Sequence, residues 1–409
     1  MPKSEENKGQ VSLEKIQKAQ RRIKPILNST TAVASAAFSS EFGHEIYLKP
    51  ENLQVTGSFK IRGAYNHIVQ LSNEDKKRGL IAASAGNHAQ GVAYGAYLAK
   101  VPALIIMPTT TPLIKIEATR QLGAEVLLHG QNYDDAYEEA VKRQREEGLV
   151  LIHPFDDEEV IAGQGTIGLE ILEEVADVDC ILVPVGGGGL IAGIASAVKA
   201  IKPKVQVVGV EPEGAASLKH SIEKGRVAAL KGVDTIADGV AVKQPGKKTF
   251  EIAKNLVDEI LVVKDQELMD AFLLLLEKHK LIAEPSGVLS LAAAKHKRGK
   301  KQKIVSVISG GNIDVMTISS VIQNGLVSRG RIFCFSLELP DLPGELLKVC
   351  RILAENNANI VQMVHDQFKA SDSLKRVNLE ATVETHGQSH RIRIIEELKR
   401  QGYQVRQIY

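Results

Sequence analysis

The chain has 409 residues, enough for two or three domains of about 150 residues each and for a large hydrophobic core. Its 51 Lys and Arg residues nearly balance 49 Asp and Glu residues and form no single basic stripe, which argues against a nucleic-acid-binding protein. The three cysteines, Cys180, Cys334 and Cys350, lie in apolar runs without metal-ligand spacing, so we expect reduced thiols and no metal site formed by them. The N-terminus has no apolar signal segment, so we expect a cytoplasmic location.

Most of the chain predicts strands and helices in alternation. An amphipathic helix is expected over residues 11–27, ending near Pro25. It is followed by strand 45–48, helix 63–71, strand 79–83, helix 88–99, strand 103–107, helix 112–122, strand 125–128 and helix 133–147. Then come strand 149–152, helix 163–175, strand 180–185, a helix after four glycines, strand 205–210, helices 267–279 and 286–295, and strand 304–309. This order predicts an α/β fold with two doubly wound open sheets, mostly parallel.

Two uncharged stretches, residues 80–99 and 181–198, are long enough to cross a membrane. Polar residues interrupt the first, and Pro184 with four consecutive glycines interrupts the second. Each stretch therefore fits a buried strand, a tight loop and a buried helix, and we expect no membrane association.

The pattern of strands and helices that the sequence predicts changes after Arg329. Strand 332–339, a turn at residues 341–344, a helix, strand 359–365, a second strand to about Val383, a helix and strand 403–408 follow in the order βαββαβ. We therefore predict a catalytic region over residues 1–328, with a smaller subdomain at about 49–150, and a ferredoxin-like domain over residues 331–409.

Lys60 follows Gly57, Ser58 and Phe59, a segment whose small residues let the backbone approach a flat ligand. A lysine of this kind can hold an aldehyde cofactor covalently. The alternative is a solvated surface lysine.

Asn87 lies in the segment Ser84 to His88, just after an apolar strand and where a helix should begin. Unpaired N–H groups at such a position suit a carboxylate ligand. The alternative is a simple helix cap at Ser84 or Asn87, with His88 as a core residue.

Gly186 to Gly189 stand between an apolar strand and a helix. Four glycines there predict a nest of backbone N–H donors for a phosphate, although a flexible surface loop would show the same composition. The segment has neither the lysine nor the spacing of a nucleotide-binding loop. Ser309 to Asn312 also follow a strand, at the edge where open α/β sheets place ligands.

In this order the four motifs resemble those of the fold-type II pyridoxal phosphate enzymes, which are similar to tryptophan synthase β, and among them the threonine dehydratases (threonine ammonia-lyases). The resemblance covers about residues 10–325 and is carried most strongly by residues 51–64. It implies pyridoxal 5'-phosphate as cofactor and an amino-acid substrate. It also implies the β-elimination of L-threonine, and of L-serine, to 2-oxobutanoate or pyruvate and ammonia.

The resemblance also implies roles for individual residues. Lys60 would be the Schiff-base lysine, Phe59 would pack on the cofactor ring, and Asn87 would bond its 3-hydroxyl. Gly239 would lie on the other ring face, Ser309 would bond the pyridine nitrogen, and Glu284 would lie near the ring. The phosphate would be held by Gly186, Gly187, Gly188, Gly189 and Leu190, and the substrate carboxylate by Ser84, Ala85, Gly86, Asn87 and His88.

Two positions depart from related serine racemases. Those enzymes have a second serine where this chain has Ala85, so we expect dehydration with little racemisation. They also bind a divalent ion through two acids, and here Glu211 is followed by Ser217 in place of the second, so we predict no divalent site and leave a monovalent ion near Glu211 open.

Residues 331–409 resemble an ACT domain, on Asp341 to Gly344 and on Asn359 with Ile360. The resemblance implies a regulatory site for an amino acid or nucleotide, or else a dimerisation element, and a homo-oligomer (dimer or tetramer). The remaining alternatives are a serine dehydratase or racemase, a β-replacement lyase of the same fold, and a non-catalytic amino-acid sensor.

Overall fold

The structure is a computed structural model that describes residues 11–366 and 375–409. Its contacts divide the chain into two compact units, Met1–Asp314 and Val315–Tyr409. Residues 315–328 thus belong to the C-terminal unit, whereas the sequence predicts them at the end of the catalytic region.

The first unit alternates helices and strands, as the sequence predicts. Its helices are α1 Leu13–Ile23, α2 Ala36–Phe42, α3 Lys60–Val69, α4 Asn73–Arg78, α5 Asn87–Ala99, α6 Leu113–Gln121, α7 Tyr133–Glu147, α8 Glu158–Glu174, α9 Gly189–Ile201, α10 Ser217–Lys224, α11 Lys247–Leu256, α12 Asp265–His279 and α13 Leu289–Ala294. Its strands are β1 Val33–Ser35, β2 Glu45–Pro50, β3 Leu80–Ala83, β4 Ala103–Met107, β5 Glu125–Leu128, β6 Val150–Leu151, β7 Cys180–Pro184, β8 Gln206–Pro212, β9 Glu259–Val263 and β10 Lys303–Ile308.

The strands form two sheets. The larger has the order β1-β2-β10-β7-β8-β9 and is parallel except for β1. The smaller has the order β5-β4-β3-β6 and is parallel throughout. Helices cover both faces of parallel sheets, so their strands read as apolar runs, and β7 and β3 are buried along their whole length. The α/β fold class predicted from the sequence is confirmed.

Helices α3, α8 and α9 pack unusually closely because glycines face one another across their contacts. A side chain at Gly163 of α8 would place its Cβ 2.6 Å from the carbonyl oxygen of Arg62 in α3. A side chain at Gly193 of α9 would place its Cβ 2.4 Å from the carbonyl oxygen of Ile161 in α8. Backbone therefore lies against backbone along this helix triple.

Some predicted boundaries were wrong. Helix α8 begins at Glu158, five residues before the predicted start, because the Asp157 carboxylate accepts hydrogen bonds from the N–H groups of Glu159 and Val160 and starts the helix there. The sequence also missed several elements, namely β1, α2, α4, α10, α11, β9 and α14, the helix Val315–Ser328.

The two uncharged stretches form β3, a loop and α5, and β7, a loop and α9. Across the part of the chain that the structure describes, no helix combines the length and the apolar character that a membrane crossing requires.

The second unit contains α14, β11 Ile332–Pro340, α15 Glu345–Glu355, β12 Asn359–Asp366, β13 Arg376–Glu384, α16 Gln388–Arg400 and β14 Arg406–Gln407. The strands form an antiparallel sheet of order β12-β13-β11-β14. Phe333, Leu337 and Leu379 on the sheet pack with Leu353 and Leu398 of the helices. After α14, the connectivity is the βαββαβ order that the sequence predicts.

Candidate active site

Three of the predicted motifs follow adjacent strands of the large sheet. Strand β10 lies between β2 and β7, and all three are parallel, so their carboxyl ends share one edge. The segment to Lys60 follows β2, the four glycines follow β7, and Ser309 follows β10. This is the edge where α/β sheets bind ligands.

The segment before Lys60 is tied to the segment after β10. The Phe59 N–H donates to the Ser309 carbonyl at 3.2 Å, and the Gly311 N–H donates to the Gly57 carbonyl at 2.8 Å. Gly57 has φ +69°, a conformation that favours glycine, and it turns the chain into α3, whose first residue is Lys60.

The Lys60 amine donates a hydrogen bond to the Pro154 carbonyl at 2.9 Å and lies 5.3 Å from the centre of the Phe59 ring. Burial lowers the pKa of Lys60 to about 8, against a smaller opposing effect of the Glu284 charge. A larger fraction of this amine than of an ordinary lysine is therefore neutral and nucleophilic near pH 7.

Below Lys60, a buried ion cluster holds α3 to α8. Arg62 is 1% exposed and pairs with Glu51 at 2.8 Å and with Glu170 at 2.6 Å. Lys49, which is fully buried, pairs with Glu170 and with Glu174, each at 2.8 Å. Both cations are thus compensated by carboxylates in the interior.

The glycine loop has room for backbone alone. A Cβ at Gly187 would lie 2.2 Å from the Phe155 ring, and one at Gly189 would lie 2.9 Å from the Phe155 Cα. One at Gly186 would lie 2.9 Å from the Val240 Cα, and Gly188 has φ +93°. The loop leads into α9, whose first N–H groups and dipole favour an anion.

Sequence reasoning missed the residues that hold this loop. The Asp156 carboxylate accepts hydrogen bonds from the N–H groups of Lys247, Lys248 and Thr249 at 2.8 to 3.2 Å and so begins α11. The Thr249 hydroxyl then donates to the Gly187 carbonyl at 2.7 Å. Asp156 is far from both segments in sequence, so no local pattern indicates its role.

Asn87 and Glu284 lie together beside the lysine. The Asn87 amide nitrogen donates to Glu284 Oε1 at 2.5 Å. Burial, and then the Asp238 charge, raise the pKa of Glu284 to about 7. A Cβ at Gly310 would lie 2.5 Å from Glu284 Oε1 and 3.0 Å from the Asn87 amide nitrogen. Only a glycine therefore fits beside these two side chains.

Gly239 lies against the same cluster. Its N–H donates to the Ser286 hydroxyl at 2.9 Å, and a Cβ there would lie 3.5 Å from Glu284 Oε1. The structure therefore brings Lys60, Asn87, Glu284, Gly239 and the Ser309 segment to one place.

The segment Ser84 to His88 forms the turn between β3 and α5. The Ser84 hydroxyl accepts a hydrogen bond from the Gly86 N–H at 3.2 Å, and Ser84, Ala85 and Gly86 are half-buried. The His88 imidazole is buried, and its Nε2 bonds the Ile152 carbonyl at 2.8 Å. Burial, and then the Lys60 charge, lower the pKa of His88 to about 3, so the ring is neutral and packs as a core residue. Its Nδ1 is buried and has no hydrogen-bond partner among the described residues.

Glu211, at the end of β8, is fully buried. Its two carboxylate oxygens accept hydrogen bonds from the N–H groups of Leu218 at 2.8 Å and Lys219 at 2.9 Å, in the first turn of α10. Burial raises the pKa of Glu211 to about 7.

These residues fit pyridoxal phosphate. A partly neutral amine lies beside a loop whose four Cα positions admit no side chain, as an amine-bound aldehyde and a closely held phosphate require.

Comparisons with known proteins agree with this geometry. Residues 23–310 match the family model "Pyridoxal-phosphate dependent enzyme". The chain is 47% identical to an L-threonine ammonia-lyase of Thermotoga maritima over 401 residues, 97% of this chain and 99% of the relative. It is also similar to the structure of the processed form of threonine deaminase isoform 2 from Solanum lycopersicum, with TM-score 0.75 and 40% identity over 77% of this chain and 87% of that one. Maize serine racemase has TM-score 0.73 and 36% identity over 78% of this chain and 99% of that one. The chain therefore belongs to the pyridoxal-phosphate-dependent enzymes.

Proposed function

We propose that this chain is a threonine ammonia-lyase, which converts L-threonine to 2-oxobutanoate and ammonia and L-serine to pyruvate and ammonia. The observation that carries the proposal is the Lys60 amine, with its pKa of about 8, beside the glycine loop. It occurs in a chain that matches an L-threonine ammonia-lyase along 97% of its length.

Each site residue has a role in this proposal. Lys60 binds the cofactor aldehyde and takes the Cα proton of the substrate, for which a pKa of about 8 suits a base working near neutral pH. The N–H groups from Gly186 to Leu190 hold the cofactor phosphate. Phe59 and Gly239 enclose the ring, and Ser309 bonds the pyridine nitrogen. The bound cofactor supplies an electron sink for the bond-breaking at Cα.

The turn after β3 is proposed to bind the substrate carboxylate. The Ser84 hydroxyl and the backbone N–H groups from Ala85 to His88 lie at the start of α5, where the helix dipole favours an anion. Asn87 is oriented for the cofactor by Glu284. The β-hydroxyl would take up one proton and leave as water, and hydrolysis of the released enamine by one water would give the 2-oxo acid and ammonia.

A serine dehydratase or racemase is the second candidate, favoured by the similarity to maize serine racemase. The half-buried Ala85 argues against racemisation because a methyl group cannot donate a proton. A β-replacement lyase of the same fold would release no ammonia, and this distinguishes it from a threonine ammonia-lyase and from a serine dehydratase.

The C-terminal unit is proposed to regulate the enzyme by binding an amino acid or nucleotide. Its βαββαβ sheet supports this, and the alignment with the Thermotoga relative, which spans 97% of the chain, extends into it. A cytoplasmic location and assembly into a dimer or tetramer stay predictions from the sequence.

The test combines covalent labelling with activity. The holoenzyme is reduced with borohydride and its peptides are mapped, and ammonia release from threonine and serine is compared in the wild type, Lys60→Ala and the control Lys77→Ala, which removes an exposed lysine. We expect the pyridoxyl label on Lys60, loss of ammonia release in Lys60→Ala alone, and threonine as the better substrate. A label elsewhere, or an active Lys60→Ala variant, would overturn the proposal and favour the non-catalytic sensor.

A further inference from the structure

Asn312 closes the fourth sequence motif, Ser309 to Asn312, and has no role in the function proposed above. It follows β10 and is half-buried. Its amide nitrogen donates to the Thr56 carbonyl at 2.8 Å and to the Asn87 side-chain oxygen at 2.7 Å. One side chain thus joins the segment before Lys60 to the start of α5.

The order of donors and acceptors along this chain of contacts is fixed by chemistry. The Thr56 carbonyl can only accept, so Asn312 must turn its amide nitrogen toward it. The second proton of that nitrogen then points to Asn87, which must present its oxygen. The Asn87 nitrogen is left on the opposite side, where one proton goes to Glu284 Oε1 at 2.5 Å.

The neighbouring backbone is shaped around Asn312. A Cβ at position 57 would lie 2.3 Å from the Asn312 side-chain oxygen, so Gly57 gives the amide its space as well as the turn its positive φ. The Gly311 N–H bonds the Gly57 carbonyl at 2.8 Å and keeps the two segments paired.

We propose that Asn312 is a positioning residue that holds the Asn87 amide with its N–H side toward the ring oxygen of the cofactor. This rests on the assignment of Asn87 to that oxygen, made in the proposed function. An amide turned the other way would present its oxygen to the ring oxygen, and its nitrogen would face the Asn312 amide nitrogen, so that two donors would meet where a hydrogen bond now forms.

The decisive variant is Asn312→Asp, which keeps the shape of the side chain and removes its donors. Aspartate can pair with Asn87 only if the Asn87 amide turns its nitrogen away from the cofactor. Asn312→Ala removes the contact without imposing a new orientation, and because residue 312 is half-buried, neither variant opens a core cavity.

The experiment measures three quantities for the wild type, Asn312→Asp, Asn312→Ala, Asn87→Ala and the double variant Asn87→Ala/Asn312→Asp. They are the Kd of the apoprotein for pyridoxal phosphate, the ratio of the visible to the near-ultraviolet absorption band of the holoenzyme, and the Tm of the apoprotein. We expect Asn312→Asp to weaken cofactor binding about five- to a hundredfold, as for a buried acceptor left unpaired, and to change the band ratio. Asn312→Ala should have a smaller effect on both.

The double variant separates positioning from a general structural role. If Asn312 acts through Asn87, Asn312→Asp adds nothing once Asn87 is alanine. Additive effects, or a loss of Tm without a change in the band ratio, would overturn the inference. If Asn87→Ala itself leaves Kd and spectrum unchanged, the fault lies in the assignment of Asn87 in the proposed function, and the inference falls with it.

Discussion

The pH dependence of cofactor capture by the apoprotein tests the electrostatics of Lys60 directly. With a pKa of about 8, about a tenth of the amine is neutral at pH 7. An ordinary lysine, with a pKa near 10.4, would be neutral in about one molecule in 2,500. Burial therefore gives this amine an advantage of about 250-fold in its reactive form at pH 7. Because the protonated amine is unreactive, the rate should rise about tenfold per pH unit below the pKa and level off above it.

The assay mixes apoprotein with pyridoxal phosphate from pH 6 to 10 and follows the yellow colour of the lysine-bound cofactor. Each rate is divided by the rate for N-acetyl-lysine in the same buffer, which cancels the ionisation of the cofactor itself. Glu284→Gln should move the midpoint to lower pH, because the Glu284 charge raises the pKa of Lys60. A midpoint near 10.4 in the wild type, or a shift to higher pH in Glu284→Gln, would refute this reasoning.

Three further predictions concern single substitutions in the glycine loop, in the turn after β3 and in the buried ion cluster. Gly187→Ala places a Cβ 2.2 Å from the Phe155 ring and should weaken cofactor binding by about 1–3 kcal/mol, whereas Gly232→Ala, in open space, should leave the Kd unchanged. Ala85→Ser supplies a hydroxyl that can donate a proton, so the rate of D-serine formation, measured by chiral chromatography, should rise on the order of a hundredfold. A wild type that already racemises serine as fast as it releases ammonia would contradict this prediction. Arg62→Met leaves buried carboxylates uncompensated and should cost about 3–5 kcal/mol in denaturant unfolding, while Arg21→Met, at an exposed position, should cost almost nothing.

Local signals in the sequence predicted much of the fold. Helix α7 begins and ends where its pattern predicts, because Asn132 and Asp135 form a capping box at its start and Gly148 ends it in a left-handed conformation. The glycine loop was predicted for the same reason, since four glycines between a strand and a helix are a local signal.

Elements that depend on distant residues were not predictable in this way. The first N–H groups of helix α11 donate hydrogen bonds to the carboxylate of Asp156, and those of α10 donate to the carboxylate of Glu211. Neither helix therefore has a capping side chain in the directly adjacent sequence. In the site, Lys60 and Asn87 were found from their motifs, but the contact of Asn312 with Asn87 joins residues 225 positions apart.

The glycine contacts among α3, α8 and α9 have a consequence for how the site responds to substitution. Helix α3 begins with Lys60 and α9 follows the glycine loop, and the main chains of both helices lie against the main chain of α8. Close backbone contacts, together with the buried ion pair of Arg62 and Glu170, therefore hold the helix that begins with Lys60 and the helix after the glycine loop to one common helix. We therefore expect substitutions in the turn after β3, the proposed carboxylate site, to weaken substrate binding more than they weaken cofactor binding.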